Sequence, residues 1–373
     1  MNELFEVLSQ IEDPRQAWKV KHSLKDIIVI VLFAMLGNAD DWVEMEMFAR
    51  LHEKTLRKYL ELPHGIPSHD TMQRVFSILD PKQIQQIKTA WEELLESNEG
   101  EKLKKILCMD GKTMRGNGNK NQKALHIVSA WSKERGICFG QRAVCEKSNE
   151  ITAMDELPDA LSPKGQIITI DAMGTQTAIA EKIRKKKAEY VLAVKKNQKT
   201  LYEQLFLYFE EVEFLNALKS KGCYHCTKEK AHGQIEKREY YQTNAIAWMH
   251  DKEKWSGLCS IGMSISTICK EGKEPTTEKR YYIRSLPVDL PLFREAVRGH
   301  WSVESMHWHL DVTFREDHNA TLDKNAAMNR NILRKFCLGI LKLLDVGKKV
   351  SLKKKRFAVS CKPEQFLEEI FGL

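Results

Sequence analysis

The sequence lacks a long hydrophobic run, a dense cysteine framework and a large excess of charge of either sign. Its longest apolar run, residues 27–36, has ten residues, which is about half of what a membrane span needs. Residues 1–14 are acidic and lack the basic-then-apolar order of a signal peptide. The nine cysteines are scattered over 373 residues, which is typical of reduced thiols in the cytosol. We therefore expect a soluble cytoplasmic protein with no membrane partner.

The charge balance permits a polyanionic partner without proving one. The formal net charge is +8, from 59 Lys and Arg against 51 Asp and Glu, and such a modest excess is compatible with DNA binding. The length is sufficient for two or three domains, each with its own core.

The pattern of residues changes along the chain from helical to mixed. Residues 1–98 contain capping and amphipathic patterns, with Ser23 placed to cap a buried helix. A Pro/Gly break at residues 62–67 is typical of a helix-turn-helix-like DNA-binding module, and nearly as typical of a plain helical bundle. Strands and then a strand–helix–strand alternation predict an α/β core with a mixed sheet. The predicted units are a helical domain (1–98), the first part of the core (103–215), a β-rich insertion (216–286), a helical remainder carrying a glutamate (287–345) and a basic tail (346–373).

Two aspartates share one context in the predicted core. Asp110 and Asp171 each follow a short apolar run, so each is expected to terminate a buried strand. Ligand sites in α/β sheets lie beyond the carboxyl ends of strands, and two carboxylates placed there repel unless a cation holds them. Mg²⁺ prefers such oxygen ligands. The alternative is that each aspartate merely begins a turn.

A third acid lies in a candidate helix around residues 298–314. On a helix, His300, Glu304, His307 and Asp311 would form one polar stripe. Apolar side chains are expected to flank it on both sides, so that the helix is buried around its polar face and the stripe needs a partner. The alternatives are a zinc site from His300, Glu304 and His307, and a core network satisfied by its own hydrogen bonds. The flanking residues are Trp301, Trp308 and Val312 on one side and Val303, Leu310 and Phe314 on the other.

These acids lie among short motifs that cover nearly the whole chain in order. With them, the chain resembles the H-repeat-associated transposases of bacterial insertion sequences, within the larger DDE superfamily. The matching stretches are 65–71, 110–112, 171–176, 195–198, 232–233 with Ile235, Glu236 and Arg238, 282–285, 300–304 and 307–311.

The resemblance implies a ribonuclease H-like catalytic fold with a metal-binding triad of Asp110, Asp171 and Glu304. It also implies two Mg²⁺ or Mn²⁺ ions, DNA cleavage at the element ends and strand transfer to target DNA, with a homo-oligomer on the DNA. Related enzymes carry Tyr, Arg and Lys around the glutamate, where this chain has Val297, His300 and Asp311. Glu316 is the alternative third acid. A nuclease of the same fold and a non-catalytic DNA-binding remnant are the alternative functions.

Further side chains are candidates for contact with DNA or metal. Lys112, Lys195, His300 and His307 are predicted to contact DNA phosphates, with solvated lysines as the alternative. The basic runs 184–187 and 348–356 are predicted to follow the DNA backbone, although such runs are often only solvated faces. Weaker possibilities are a zinc site at Cys223 and Cys226 with His225 and His232, and base stacking by Trp248 and Trp255, for which core packing is the stronger alternative.

Overall fold

The computed structural model describes residues 7–8, 11–97, 106–144, 149–161, 163–231 and 233–371. Cys145 and His232 lie outside the described residues. No helix of the described residues is long and apolar enough to cross a membrane.

The N-terminal region is helical, as its sequence predicts. Ser23 caps the first helix by accepting a hydrogen bond from the backbone of Asp26, and residues 27–36 are buried on every side. The second helix ends at Leu51, and a short helix follows His52. The helices are α1 (Leu24–Leu36), α2 (Trp42–Leu51), α3 (Glu53–Leu56), α4 (His69–Ile78) and α5 (Pro81–Ser97).

A nine-stranded mixed sheet forms the centre of the molecule, in the order β3-β2-β1-β4-β5-β9-β8-β7-β6. β1, β2 and β3 form an antiparallel meander, and β4 and β5 run parallel to β1. This confirms the predicted ribonuclease H-like mixed sheet. The strands are β1 (Ile106–Thr113), β2 (His126–Ser132), β3 (Ile137–Ala143), β4 (Ile167–Ile170), β5 (Glu189–Val194), β6 (Tyr224–Ala231), β7 (Gln234–Thr243), β8 (Ser260–Lys270) and β9 (Thr276–Arg284).

The strands of the β-rich region extend the central sheet. β9 pairs antiparallel with β5, from Val191 opposite Arg284 to Val194 opposite Tyr281. β6 was not expected from the sequence, because its alternation of charged and polar residues lacks an apolar face. It joins β7 through a tight turn at Gly233, whose φ of 72° suits glycine.

Helices cover both faces of the sheet. On one face lie α6 (Glu150–Ala160), α7 (Thr177–Lys185), α8 (Lys199–Glu210) and α9 (Val212–Ser220), whose apolar residues share a core with Leu107, Met109 and Ile168. The N-terminal helices share the opposite core with Cys108 and Ile167. Beside them lie α10 (Leu290–Trp308), α11 (Lys324–Leu343), α12 (Leu352–Cys361) and α13 (Pro363–Phe371).

The C-terminal basic segment is partly structural. Arg356 is wholly buried and donates hydrogen bonds to the carbonyl oxygens of Met35 and Thr313 and to a carboxylate oxygen of Asp40. Lys355 donates to the carbonyl oxygen of Leu341 near the end of α11. The prediction that residues 348–356 follow DNA is therefore wrong for Arg356, because its guanidinium group has no access to solvent.

Candidate functional site

Asp110 lies within β1 and not at its end. The parallel pairing of β1 with β4 ends at Met109 opposite Ile170, whereas the antiparallel pairing with β2 continues to Thr113. The prediction of a strand-terminal aspartate is thus correct for Asp171 and wrong for Asp110. The next residues of the parallel register are Asp110 and Asp171, so both lie at the carboxyl end of the parallel ladder, where α/β sheets place their sites.

The three predicted acids line one cleft. Asp110, Asp171 and Glu304 surround a cavity of about 620 Å³ between the strand ends and α10. Lys195 and Arg280 line the same cavity. The cleft therefore combines carboxylates with cationic side chains.

The carboxyl group of Asp110 is strongly perturbed. Burial raises its pKa to about 7, with repulsion from Asp171, Glu150 and Glu304 adding to the effect, while a hydrogen bond from the backbone of Gly111 opposes it. Three neighbouring carboxylates thus lie close enough to disfavour the charged form of Asp110. The site would gain stability from a cation.

Glu150 is a neighbouring acid that sequence reasoning missed. Its carboxylate lies 3.3 Å from Nε2 of His126, and a Cβ added at Gly111 would lie only 2.3 Å from its Oε1. Glu150 begins α6 after the capping residue Asn149, so its sequence context indicates only a helix start. A glycine after the strand aspartate was the one available signal, since it leaves room for a neighbouring side chain.

Both predicted histidines are partly buried and carry depressed pKa values. Burial lowers the pKa of His300 to about 4 and that of His307 to about 3. His300 lines the cleft and shares a hydrogen bond of 2.9 Å between its Nδ1 and the hydroxyl of Thr169. Nδ1 of His307 lies 3.6 Å from a carboxylate oxygen of Asp110. Both imidazoles are therefore neutral near pH 7, so they cannot attract phosphates by charge.

The polar stripe on α10 is only half enclosed. Val303, Leu310 and Phe314 are buried as expected, but Trp301 and Trp308 are 45% and 56% exposed. The α-helix also ends at Trp308 and continues as a π-helical turn, His309–Thr313. The expectation of two buried flanks was wrong, because one side of α10 faces solvent beside the cleft.

Asp311 and Glu316 belong to a separate ion network. Lys112 contacts Asp311 at 2.7 Å and Glu316 and Asp317 at 3.2 Å each. Burial alone would raise the pKa of Glu316, yet Arg334, Lys112 and Lys335 together lower it. Neither Lys112 nor Glu316 lines the cleft that contains the three acids.

The remaining candidates are engaged with other protein groups. In the basic run 184–187, Arg184, Lys185 and Lys186 each pair with an acidic side chain. Trp255 is buried in the core, and Trp248 stacks on Tyr208 at 4.8 Å. The eight cysteines of the described residues are free, Cys223 and Cys226 included.

The donor chemistry of the cleft fits a hard divalent cation, although its side chains do not yet enclose one. Asp110, Asp171 and Glu304 supply carboxylate oxygens, the ligands that Mg²⁺ prefers. Within the described ranges, no three His, Cys, Asp or Glu side chains are arranged to hold a metal ion. This also leaves the zinc alternative at His300, Glu304 and His307 without support. Glu304 is exposed, so an adjustment of its side chain is sterically open.

Two family models match the chain in succession. A model described as DDE_Tnp_1-associated matches residues 5–92, and one described as Transposase DDE domain matches residues 101–340. The protein named "Putative transposase YncI" of Escherichia coli O157:H7 is 39% identical over 98% of this chain and 94% of its own length. The protein named "H repeat-associated putative transposase YhhI" of Escherichia coli K12 is 36% identical over 91% of this chain and 90% of its own.

A solved structure, the piggyBac transposase synaptic complex with hairpin DNA, aligns with 99% of this chain and 80% of its own at a TM-score of 0.42 and 11% identity. The family assignment follows from the sequence matches, which span both the helical region and the sheet. The chain belongs to the transposase family defined by the DDE domain.

Proposed function

We propose that the protein is an active transposase that cleaves DNA at the ends of its element and joins the freed strand to target DNA. The observation that carries this proposal is the single cleft lined by Asp110, Asp171 and Glu304 together with Lys195 and Arg280. Carboxylates and cations arranged around one cavity suit phosphodiester chemistry, in which negative charge develops on the phosphate oxygens.

The acidic side of the cleft would hold the divalent ions. Asp110, whose carboxyl group interacts electrostatically with both Asp171 and Glu304, would hold two Mg²⁺ or Mn²⁺ ions together with those two acids. When bound, the ions would supply Lewis-acid activation of the attacking oxygen and stabilisation of the leaving one. Burial is the main cause of the raised pKa of Asp110, and repulsion from the neighbouring acids adds to it; a bound cation would offset that repulsion, which supports this assignment.

The remaining side chains of the cleft would position DNA. Lys195 would neutralise a phosphate that flanks the scissile bond, whereas Arg280, already paired with Glu278, would support the side of the cleft. His300, hydrogen-bonded to Thr169, would help to position the helix that carries Glu304. His307, whose Nδ1 lies 3.6 Å from a carboxylate oxygen of Asp110, would limit the movement of that side chain by packing. Lys112 would act on this site indirectly, because three carboxylates already engage its ammonium group.

The proposed reaction consists of two nucleophilic displacements, each at a phosphorus atom. Water attacks the scissile phosphorus, the bond to the 3′ oxygen breaks, and that oxygen leaves as a hydroxyl beside a 5′ phosphate. The freed 3′ hydroxyl then attacks a target phosphorus and displaces the target's own 3′ oxygen. Neither step requires a covalent intermediate with the protein.

A strand-transfer assay tests the proposal. The purified protein is incubated with a DNA fragment containing the gene and its flanks, a supercoiled target plasmid and Mg²⁺ or Mn²⁺. We expect cleaved and joined products from the wild type and neither product from Asp171→Asn. Asp159→Asn serves as the matched control, because Asp159 is an exposed carboxylate paired with Lys182 and lies outside the cleft.

Other outcomes of this assay select the alternatives. Cleavage without a joined product favours a nuclease of the same fold, and DNA binding without cleavage favours a non-catalytic remnant. Full activity of Glu304→Gln together with loss of activity in Glu316→Gln would overturn the assignment of the third acid.

Two further predictions concern the oligomeric state on DNA and the DNA contact of the helical region. Joining two element ends requires at least two copies of the chain, so the mass of the complex with end DNA, measured by light scattering, should correspond to a dimer or more. DNA contact by the helical region, residues 1–98, remains a prediction, which Arg74→Ala on the exposed side of α4 and measurement of end binding would test.

A further inference from the structure

A second pocket adjoins the cleft and shares a wall with it. This pocket of about 230 Å³ lies between α10 and strands β7, β8 and β9. Arg280 and Trp301 line both cavities, and they are called the Trp301–Arg280 wall below. Glu236 and Arg238 also line the second pocket. Glu236 and Arg238 belong to the family motifs, yet the proposed metal site does not use them.

The wall contains a partly exposed indole ring that a neighbouring guanidinium group holds in place. Trp301 precedes Glu304 by one helical turn, and its side chain is 45% exposed. The guanidinium carbon of Arg280 lies 4.6 Å from the centre of the indole ring. Arg280 is in turn fixed by two hydrogen bonds to Glu278, of 2.8 and 3.0 Å. An indole fixed in this way loses little conformational freedom when a flat partner stacks on it.

The second pocket offers one accessible guanidinium group. Arg298 is 44% exposed, and its ion pair with Glu229 spans 3.9 Å. Arg238 is only 13% exposed and pairs with both Glu229 and Glu236. Arg298 is therefore the better placed of the two to meet an incoming anion, whereas Arg238 braces the pocket.

An aromatic face next to an arginine matches a nucleic-acid strand. Bases stack on aromatic side chains whatever their sequence, and phosphates bind guanidinium groups. The order of features from Glu304 through Trp301 to Arg298 follows one exposed side of α10.

We propose that the bound DNA strand leaves the catalytic cleft across the Trp301–Arg280 wall, with one nucleotide stacked on Trp301 and a neighbouring phosphate against Arg298. This proposal rests on the proposed function in one respect, that the ligand bound in the cleft is DNA. Trp301 is thus a positioning residue that fixes the strand relative to Glu304.

Equilibrium binding without metal separates stacking from charge. The probe is a fluorescein-labelled single-stranded oligonucleotide, followed by anisotropy in EDTA over a series of salt concentrations. We expect Trp301→Ala to weaken binding about tenfold, Trp301→Phe to recover most of the loss, and neither change to alter the salt dependence. Trp308→Ala is the matched control, because Trp308 is at least as exposed on the same helix but lines neither cavity.

The salt dependence tests the phosphate contact. Arg298→Ala should reduce the slope of log affinity against log salt by about 0.7, the value for one phosphate of a single strand. Near-ultraviolet circular dichroism of each variant establishes that it is folded, and Trp301→Phe keeps the test valid if the alanine variant is not.

The proposal is overturned if Trp301→Ala binds like the wild type, if Trp308→Ala loses as much affinity, or if Arg298→Ala leaves the slope unchanged. If the wild type binds the probe but cleaves no DNA, the proposed catalysis is refuted. The proposed DNA contact at Trp301 is then still tested by the binding of the variants. A wild type that cleaves DNA while Trp301→Ala binds normally would refute the wall alone.

Discussion

Replacing Asp110 by asparagine should stabilise the metal-free protein while abolishing catalysis. Burial and the neighbouring acids raise the pKa of this carboxyl group to about 7. Below about pH 4 it is protonated in both the folded and unfolded states, and well above pH 7 it is ionised in both. Between these limits the folded state retains a proton that the unfolded state has lost, so the free energy of unfolding falls as the pH rises.

The size of this effect follows from the shift of the pKa. A rise from 3.8 to about 7 corresponds to about 4 kcal/mol at pH 8, and to roughly 1.5 kcal/mol at pH 5, where only part of the penalty has accumulated. Asparagine keeps the shape of the side chain and carries no charge. The stabilisation by Asp110→Asn should therefore be about 2–3 kcal/mol larger at pH 8 than at pH 5.

Urea unfolding in EDTA at the two pH values measures the difference. Asp159→Asn is the control with the opposite sign, because hydrogen bonds from Lys182 and Lys186 lower the pKa of this exposed carboxyl group. The free energy of unfolding of the Asp159→Asn variant should be slightly lower than that of the wild type at pH 8. Equal effects of Asp110→Asn at both pH values, or a larger loss of stability at pH 8, would refute the view that the cleft destabilises its own acids.

Three further predictions concern the metal and the buried ion pairs. Mg²⁺ at a hundredfold excess over Kd should add about 2.7 kcal/mol to the free energy of unfolding of the wild type and so raise its melting temperature. Calorimetry should find no such rise for Asp171→Asn. Lys112→Met should cost about 3–5 kcal/mol in urea unfolding, because it leaves the buried carboxylate of Glu316 without one of its cations; a loss below 1 kcal/mol would contradict the network. Arg356→Lys should destabilise nearly as much as Arg356→Ala, because a lysine cannot reproduce the forked contacts to three separate acceptors; full rescue by lysine would show that charge alone matters there.

The sequence was sufficient for features that depend on local pattern. The apolar run ending in Ile170 predicted β4 and placed Asp171 at its end, and Ser23 predicted the start of α1. Apolar periodicity and capping act within a few residues, so they are visible in the chain itself. The order of two aspartates and a glutamate, joined to a family resemblance, indicated the site.

Features that depend on what packs against a residue were beyond the sequence. β1 continues past Asp110 because β2 pairs with it there. Glu150 lies beside Asp110 because α6 packs over Gly111. Neither contact leaves a local pattern.

By itself, the sequence determined that a buried parallel strand would end in an acid and that a helix would carry Glu304 between polar neighbours. Only the tertiary structure decided which neighbours those residues have. It placed Lys112 among three carboxylates away from the cleft, and it left Trp301 exposed beside Glu304. The physical reason is that burial and charge pairing are set by segments distant in the chain, whereas helix and strand patterns are set by adjacent residues.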